Sequence, residues 1–300
     1  MNTDTHNTQD FQFQYVTGQA RPTFPELLEG YKTAGDAVVQ SEACAIDVRY
    51  GNAERETFDF FVGQGKPVAT MIYYHAGYWQ SRDKLWFRFF APAYTKLGIN
   101  VVFVNYPLCP TVTLTDLVDG VRNSVPAVLA RAKELGQPEL PLIAAGHSAG
   151  AHLAVEMALS VWPKLGERAQ AVDGVLALSG IYDLIPLMST TLNEKLKLDT
   201  TAAQANSPLH RVRSGLPPTL FIVGAAETPA FIAQNRAMAD AWHKAGNDSA
   251  VDEVANADHF NLLQQFGAPA SPTMAKVLEL IGKAERRFAA PNKAPGQPAT

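Results

Sequence analysis

The sequence predicts an α/β fold with a mostly parallel central sheet, helices on both faces and a small helical cap. Short apolar runs rich in β-branched and aromatic residues alternate with longer amphipathic segments along most of the chain. This alternation is typical of parallel strands joined by crossover helices. Two short runs near the start, separated by a polar turn, predict an antiparallel opening hairpin.

Eight segments have the composition of strands, at residues 45–51, 56–63, 68–75, 100–106, 140–146, 174–180, 219–225 and 249–254. Apolar spacing predicts helices at residues 84–98, 114–135, from 149 onward, 229–245 and 271–288. The alternation of strand-like and helix-like segments is interrupted at residues 181–216, where we expect an inserted cap of short helices. We therefore expect a loop-like N-terminal arm (1–40), one α/β domain (41–288) and a disordered tail (289–300) rich in proline and small residues.

Composition limits the partners that the protein can have. The 300 residues carry a net charge of −4 without a basic face, so nucleic acid is not expected to bind. No apolar run reaches the ~18 residues needed to span a bilayer, and the first residues lack the features of a secretory signal. The two distant cysteines, Cys44 and Cys109, fit a reducing compartment. We expect a cytoplasmic protein without a membrane partner; a homodimer is compatible with the sequence.

The stretch AAGHSAGAHLA, from Ala144 to Ala154, predicts a nucleophile. A Gly-x-Ser-x-Gly pentapeptide lies between a predicted strand and a predicted helix, which is the context of a nucleophile elbow. In such a turn, Gly146 and Gly150 would remove the Cβ atoms that clash with neighbouring chain. Ser148 would then stand exposed above the sheet, whereas the alternative reading makes it an ordinary helix N-cap.

A serine hydroxyl is a weak nucleophile, so a base must lie within hydrogen-bonding reach. In this architecture the acid and the histidine follow the serine along the chain. The candidates outside the serine's own helix are His210, in the cap, His243, in the middle of a helix, and His259. His259 follows the last predicted strand, where the base belongs.

The acid that orients the histidine is predicted to follow the strand at 219–225. Glu227 lies there, and a glutamate can hold one imidazole tautomer as an aspartate does. Asp183, after the preceding strand, is a second candidate. Asp258 is a third, although adjacent residues rarely face each other suitably.

The loop HAGYWQ, from His75 to Gln80, follows the third strand and is expected to stabilise an oxyanion. Backbone N–H groups of Gly77 and Tyr78 would act with that of Ala149, the residue after the nucleophile. The small residues Ala76 and Gly77 leave room for the substrate oxygen to approach these amides.

Several motifs together resemble the kynurenine formamidase group of α/β-hydrolases: RYGNAERETFDFF, HAGYW, GHSAGAHLA, SGIYDL, NSPLH and GAAETPAFIAQ. The resemblance covers roughly residues 48–266 and implies an α/β-hydrolase fold. It implies that Ser148, Glu227 and His259 form a triad beside an oxyanion hole of Gly77, Tyr78 and Ala149, without a metal or organic cofactor. His75 and His152 match family positions that brace the loop and pack. The aromatic residues near the serine would bind a flat substrate, and they are Tyr78, Trp79, Phe231 and Phe260.

Two departures from the group bear on specificity. Ala76 stands where the group usually has glycine, and Glu227 stands where it usually has aspartate. The resemblance implies a serine hydrolase that cleaves a formamide or other N-acyl group of a small aromatic amine through an acyl-enzyme. The alternatives are a carboxylesterase acting on short-chain esters and, from another class, a non-catalytic ligand-binding protein on the same fold.

Overall fold

The computed structural model describes residues 10–290, so most of the predicted tail, residues 291–300, lies outside the described residues. Within 10–290, eight strands form one sheet: β1 (Cys44–Arg49), β2 (Thr57–Phe61), β3 (Ala69–Tyr74), β4 (Ile99–Val104), β5 (Leu142–His147), β6 (Gly174–Leu178), β7 (Thr219–Gly224) and β8 (Ser249–Val254). Their order across the sheet is β1-β2-β4-β3-β5-β6-β7-β8. β2 is antiparallel to both neighbours and the other pairs are parallel, which confirms the mostly parallel sheet and the opening hairpin.

Helices cover both faces of this sheet. They are α1 (Phe11–Tyr15), α2 (Phe24–Ser41), α3 (Ala91–Thr95), α4 (Leu114–Val121), α5 (Ser124–Glu134), α6 (Ala149–Leu159), α7 (Asn193–Leu196), α8 (Thr200–Ala205), α9 (Pro229–Lys244), α10 (Leu262–Phe266) and α11 (Pro272–Ala289). Short 3-10 turns lie at Thr17–Gln19, Lys84–Trp86, Arg88–Phe90, Pro163–Arg168, Ile185–Ser189 and Pro208–Arg211. Residues 181–216, between β6 and β7, contain α7, α8 and two of these turns.

The strands separate two apolar layers because successive side chains point to opposite faces. On β3 and β4, Ile72 and Val102 face the layer that α4, α5, α6 and α9 cover. Met71 and Val101 face the opposite layer, which α2, α3, α10 and α11 cover. Every residue of β2 to β7 is buried, as expected for a sheet covered on both sides.

The expectation of a loop-like N-terminal arm was wrong. From residue 10 onward the segment folds into α1, a 3-10 turn and the 18-residue α2, and residues 1–9 lie outside the described residues. In α2 the buried residues Phe24, Leu28, Tyr31, Gly35 and Val38 repeat at alternating spacings of four and three, which places them on one helical face. Pro25 at the first turn is a further helix-start signal, so the sequence does contain this helix.

Two predicted helices are broken by proline. The helix predicted at 114–135 is divided into α4 and α5, and the one predicted at 84–98 becomes two 3-10 turns and α3. Pro126 and Pro92 lie in the first turn of α5 and α3, where they lack the N–H group that would continue a helix from the preceding residues. Apolar spacing alone did not reveal these breaks.

A buried ionic cluster ties β2 to the segment that follows the HAGYWQ loop. The carboxylate of Asp59, fully buried, lies 2.6 Å from the Lys84 ammonium and 2.6 Å from the Arg88 guanidinium. Lys84 also contacts the exposed Asp47 at 2.5 Å. Among residues 10–290, Asp59 is thus the carboxylate that pairs with the buried Arg88 and the one buried carboxylate that pairs with Lys84.

Asp59→Asn should reduce the free energy of unfolding by about 3–5 kcal/mol, because it leaves buried positive charge uncompensated. The measurement is urea denaturation at neutral pH. Arg236→Ala is the control, since Arg236 and Glu253 form an exposed pair at 2.5 Å whose loss should cost no more than about 1 kcal/mol. Equal losses in the two variants would contradict this account of the cluster.

Candidate active site

Ser148 occupies the sharp turn between β5 and α6. Its backbone has φ 58° and ψ −120°, a conformation that non-glycine residues rarely adopt. A Cβ atom at Gly146 would lie 2.1 Å from the Gly150 carbonyl oxygen, and one at Gly150 would lie 1.9 Å from the Tyr74 carbonyl oxygen. The backbone N–H of Ser148 donates to Leu178 of β6 at 2.7 Å, which anchors the turn to the sheet.

His259 lies in the loop after β8 and contacts Glu227, in the loop after β7. The Nδ1 atom of His259 is 2.7 Å from Oε2 of Glu227, and both residues are buried. A carboxylate can only accept a hydrogen bond, so Nδ1 carries the proton. In the neutral imidazole, Nε2 is therefore the acceptor, which is the tautomer that a general base requires.

Three further donors surround the Glu227 carboxylate. Oε1 accepts from the Ser179 hydroxyl at 2.5 Å and from the Gly224 backbone N–H at 2.9 Å. Oε2 accepts from Nε2 of Gln19 at 3.2 Å in addition to the bond with His259. With these contacts the carboxylate is held in one orientation although it is buried.

The other candidates for acid and base lie elsewhere. The Asp183 carboxylate accepts from the Ile185 N–H at 3.1 Å, and Asp183 lines a separate cleft of about 380 Å³. The Asp258 carboxylate accepts from the N–H groups of Phe260 and Asn261. His210 and His243 are exposed on the surface.

The HAGYWQ loop presents free backbone donors beside the serine. Among residues 10–290, the N–H groups of Gly77, Tyr78 and Ala149 donate no hydrogen bond to a protein acceptor. Gly77 has φ 131°, and a Cβ atom there would lie 2.1 Å from the Ser81 carbonyl oxygen, so the loop requires glycine at this position. Tyr78 is also left-handed, with φ 51°.

Gly77, Tyr78, Ser148 and His259 all line one cleft of about 190 Å³. Its lining comes from the N-terminal arm, the HAGYWQ loop and the segment after it, the elbow, residues 181–216 and the loop after β8: Tyr15, Val16, Gln19, Ala20, Phe24, Ala76, Gly77, Tyr78, Ser81, Arg82, Ser148, Leu192, His259 and Phe260. Of the four aromatic residues predicted to contact substrate, Tyr78 and Phe260 line this cleft. The structure does not bring Trp79 or Phe231 to its surface: both are fully buried, Trp79 against His152 and Phe231 against His259.

The remaining buried histidines support the site from outside the cleft. The His75 ring stacks on Tyr106 at 4.2 Å between centroids, and its Nδ1 lies 2.7 Å from the Ala76 carbonyl oxygen, so it braces the loop. Burial lowers the pKa of His75 to about 4. His152 packs on Trp79, and its Nε2 lies 2.8 Å from the Asn206 carbonyl oxygen. His147 lies 4.6 Å from His259 between ring centroids, and burial holds its pKa well below the usual range.

Sequence reasoning missed three residues of this site. Gln19 reaches Glu227 from a position 208 residues earlier in the chain. Ser179 directly follows β6, and Arg82, which follows the HAGYWQ loop, lines the cleft. None belongs to a motif that marks catalytic residues. For Gln19 the only signal was the helical pattern of α2, which implies that the arm packs on the domain.

The BD-FAE family matches residues 60–241, which include the elbow, the HAGYWQ loop and Glu227. The chain belongs to the BD-FAE family. This BD-FAE protein is 32% identical over 245 residues to "Kynurenine formamidase" of Danio rerio, covering 79% of this chain and 82% of the relative. It is 32% identical over 251 residues to "Kynurenine formamidase" of Salmo salar, with the same shares of each chain.

A solved structure of a candidate thioesterase from Silicibacter sp. tm1040 is also similar to the BD-FAE protein. It has a TM-score of 0.77 and 29% identity, and the match covers 89% of this chain and 98% of that chain. These comparisons confirm the resemblance and the α/β-hydrolase fold, and they identify the protein as a hydrolase.

Two further findings concern the described part of the BD-FAE protein. No helix between residues 10 and 290 has the length and apolar character needed to cross a membrane. In the same range, no group of three or more His, Cys, Asp and Glu side chains is arranged to hold a metal ion.

Glu227→Gln should lower kcat by about 10⁴, the loss that an amide causes at the equivalent acid of a serine protease, because His259 can then adopt the other tautomer. Glu227→Asp should lower kcat less, since the carboxylate charge remains and the side chain is only shorter. The measurement is steady-state hydrolysis of an aryl ester or anilide.

Asp183→Asn is the control for the Glu227 variants. It should change substrate binding or stability more than kcat, because the Asp183 carboxylate is bonded to the Ile185 N–H and not to His259. If Asp183→Asn abolished turnover with KM intact while Glu227→Gln stayed active, the acid would be Asp183.

Proposed function

We propose that this protein is a serine hydrolase that cleaves the N-acyl group, such as a formyl group, of a small aromatic amine through an acyl-enzyme. The observation that carries the proposal is the cleft that both Ser148 and His259 line, with His259 hydrogen-bonded to the buried Glu227 at 2.7 Å. The similarity to kynurenine formamidases supports an amide substrate of this class.

In the proposed mechanism, Ser148 Oγ attacks the acyl carbonyl carbon while His259 Nε2 takes the hydroxyl proton. The N–H groups of Gly77, Tyr78 and Ala149 stabilise the negative charge that forms on the carbonyl oxygen. The C–N bond then breaks, and the amine leaves with the proton from His259. Water, deprotonated by His259, attacks the acyl-enzyme, and the acid is released with regeneration of Ser148.

The second candidate is a carboxylesterase acting on short-chain esters. The same triad and oxyanion donors would serve it, because only the leaving atom differs. The Ala76 side chain favours this alternative, since it stands where the formamidase group usually has glycine and lines the cleft beside Gly77. Comparison of kcat/KM for formanilide and phenyl formate distinguishes the two functions.

Further proposals follow from the surroundings of the cleft. We infer that residues 41–288 form the catalytic domain and that residues 181–216 act as a cap, because Leu192 of that segment lines the cleft. Tyr78 and Phe260 are our candidates for contact with an aromatic ring. The two free cysteines, Cys44 and Cys109, fit a cytoplasmic location.

Ser148→Ala should fold normally and lower kcat by at least about 10³-fold, because a triad without its nucleophile retains only the contribution of binding and of the oxyanion hole. A fluorophosphonate probe should label the wild-type protein at Ser148, as detected by peptide mass spectrometry. Ser214→Ala is the matched control, which should retain labelling at Ser148, because Ser214 is exposed and lies outside the cleft lining. Labelling at another serine, or activity of Ser148→Ala above a few per cent of wild type, would overturn the proposal.

A further inference from the structure

The guanidinium of Arg55 contacts the chain at both ends of the HAGYWQ loop. Arg55 lies in the turn between β1 and β2, and its side chain is 29% exposed. Its Nη2 atom donates to the Arg82 carbonyl oxygen at 2.8 Å and lies 3.5 Å from Nε2 of His75. His75 is the first residue of the loop, and Arg82 lies two residues after its end. One nitrogen atom of Arg55 thus links the two ends of the segment that carries the predicted oxyanion donors.

The other two nitrogen atoms of Arg55 anchor it to the protein. Nε donates to the Tyr106 carbonyl oxygen at 2.9 Å, and Nη1 pairs with the Asp83 carboxylate at 3.1 Å. The Tyr106 side chain in turn holds His75, because its hydroxyl donates to the His75 carbonyl oxygen at 2.6 Å and its ring stacks on the imidazole. Arg55 is not part of the cleft lining, so these contacts indicate a role inside the protein and not contact with substrate.

The His75 ring carries its proton on Nδ1. This atom lies 2.7 Å from the Ala76 carbonyl oxygen, which can only accept a hydrogen bond. Nε2 is then the acceptor, and it faces the Arg55 guanidinium, which would repel a second N–H group. Burial is the main cause that lowers the pKa of His75 to about 4, and the Arg55 charge acts in the same direction. The Ala76 carbonyl group and the Asp83 carboxylate act against them. The ring is therefore neutral at neutral pH.

The hydrogen bond from His75 sets the direction of one predicted oxyanion donor. The Ala76 carbonyl group and the Gly77 N–H group belong to the same peptide unit, which is trans. In a trans peptide the C=O and N–H bonds point in opposite directions, so a contact that fixes the carbonyl oxygen also fixes the N–H group. The same contact polarises the peptide and makes the N–H group a stronger donor. The Gly77 donor therefore depends on the position and tautomer of the His75 ring.

We propose that Arg55 is a positioning residue of the oxyanion hole, which holds both ends of the loop and keeps the His75 ring in the orientation that directs the Gly77 N–H group toward the substrate oxygen. This inference rests on the proposed function for the role of that N–H group. An oxyanion donor acts on charge that develops in the transition state, so its misplacement lowers kcat more than it raises KM. A lysine would keep the charge but could not form the same planar set of hydrogen bonds.

Steady-state hydrolysis of formanilide and phenyl formate tests this inference. Arg55→Lys and Arg55→Gln should each lower kcat by about 10- to 100-fold, as expected when a donor is misplaced by about an ångström, while KM changes by less than about threefold. Arg49→Gln is the matched control, because Arg49 lies on the same hairpin, is exposed and donates to the carbonyl oxygens of Asn52 and Ala53 within that hairpin. It should leave kcat unchanged.

NMR of the backbone amides separates this inference from the proposed function. The Gly77 and Tyr78 amide resonances should shift in both Arg55 variants and stay in place in Arg49→Gln. If the wild-type protein hydrolyses neither substrate but these shifts occur, the proposed reaction fails and the role of Arg55 in placing the loop stands. Arg55→Lys retains the charge and decides the matter if Arg55→Gln does not fold. The inference is overturned if the Gly77 resonance is unchanged, if an active protein keeps its kcat, or if Arg49→Gln loses as much kcat.

Discussion

A carboxylate that is buried beside an imidazole must be surrounded by hydrogen-bond donors. This requirement determines how the segments around the candidate site are arranged. Glu227 receives donors from four separate parts of the chain: the Ser179 hydroxyl after β6, the Gly224 N–H of β7, Nε2 of Gln19 in the arm and Nδ1 of His259. Each donor belongs to a different segment of the fold. The orientation of the imidazole therefore depends on the relative positions of β6, β7, the loop after β8 and the arm. The longer glutamate side chain is accommodated by this set of donors.

The N-terminal arm is therefore part of the site and not a peripheral extension. Beyond Gln19, its Tyr31 hydroxyl donates to the Phe260 carbonyl oxygen at 3.0 Å, and its Phe24 ring packs on Phe260 at 4.5 Å. These contacts fix the residue that follows His259. The arm also supplies part of the cleft lining, so it joins the orientation of the base to the shape of the pocket. A site that depends on such a long-range contact is organised only once the whole domain has folded.

The sequence contained most of the fold and the central residues of the candidate site, because both depend on local patterns. Strand composition, alternation and the two elbow glycines are visible over a few residues, and they placed β1 to β8 and the turn at Ser148 correctly. The expectation that Ser148 stands exposed above the sheet was wrong, because the surrounding loops bury it to 1% exposure. The contributions of Gln19, Ser179 and Arg82 were not predictable, because they arise from contacts between distant segments. The burial of Trp79 and Phe231 was missed for a related reason: aromatic residues near a motif can face either the core or the cleft, and only packing decides between them. The prolines within residues 84–98 and 114–135 are visible in the sequence. The prediction followed the apolar spacing and therefore missed the helix breaks that these prolines cause.

The central claim is that Glu227 holds the proton of His259 on Nδ1 and leaves Nε2 free to accept a proton from Ser148. Nitrogen-15 NMR of the histidine-labelled protein at a pH where His259 is neutral tests it most directly, with His259→Gln used to assign the resonances. We predict an Nδ1-protonated, Nε2-unprotonated imidazole in the wild-type protein, and loss of this preference in Glu227→Gln. An Nε2-protonated His259 in the wild type, or an unchanged tautomer in Glu227→Gln, would contradict the account.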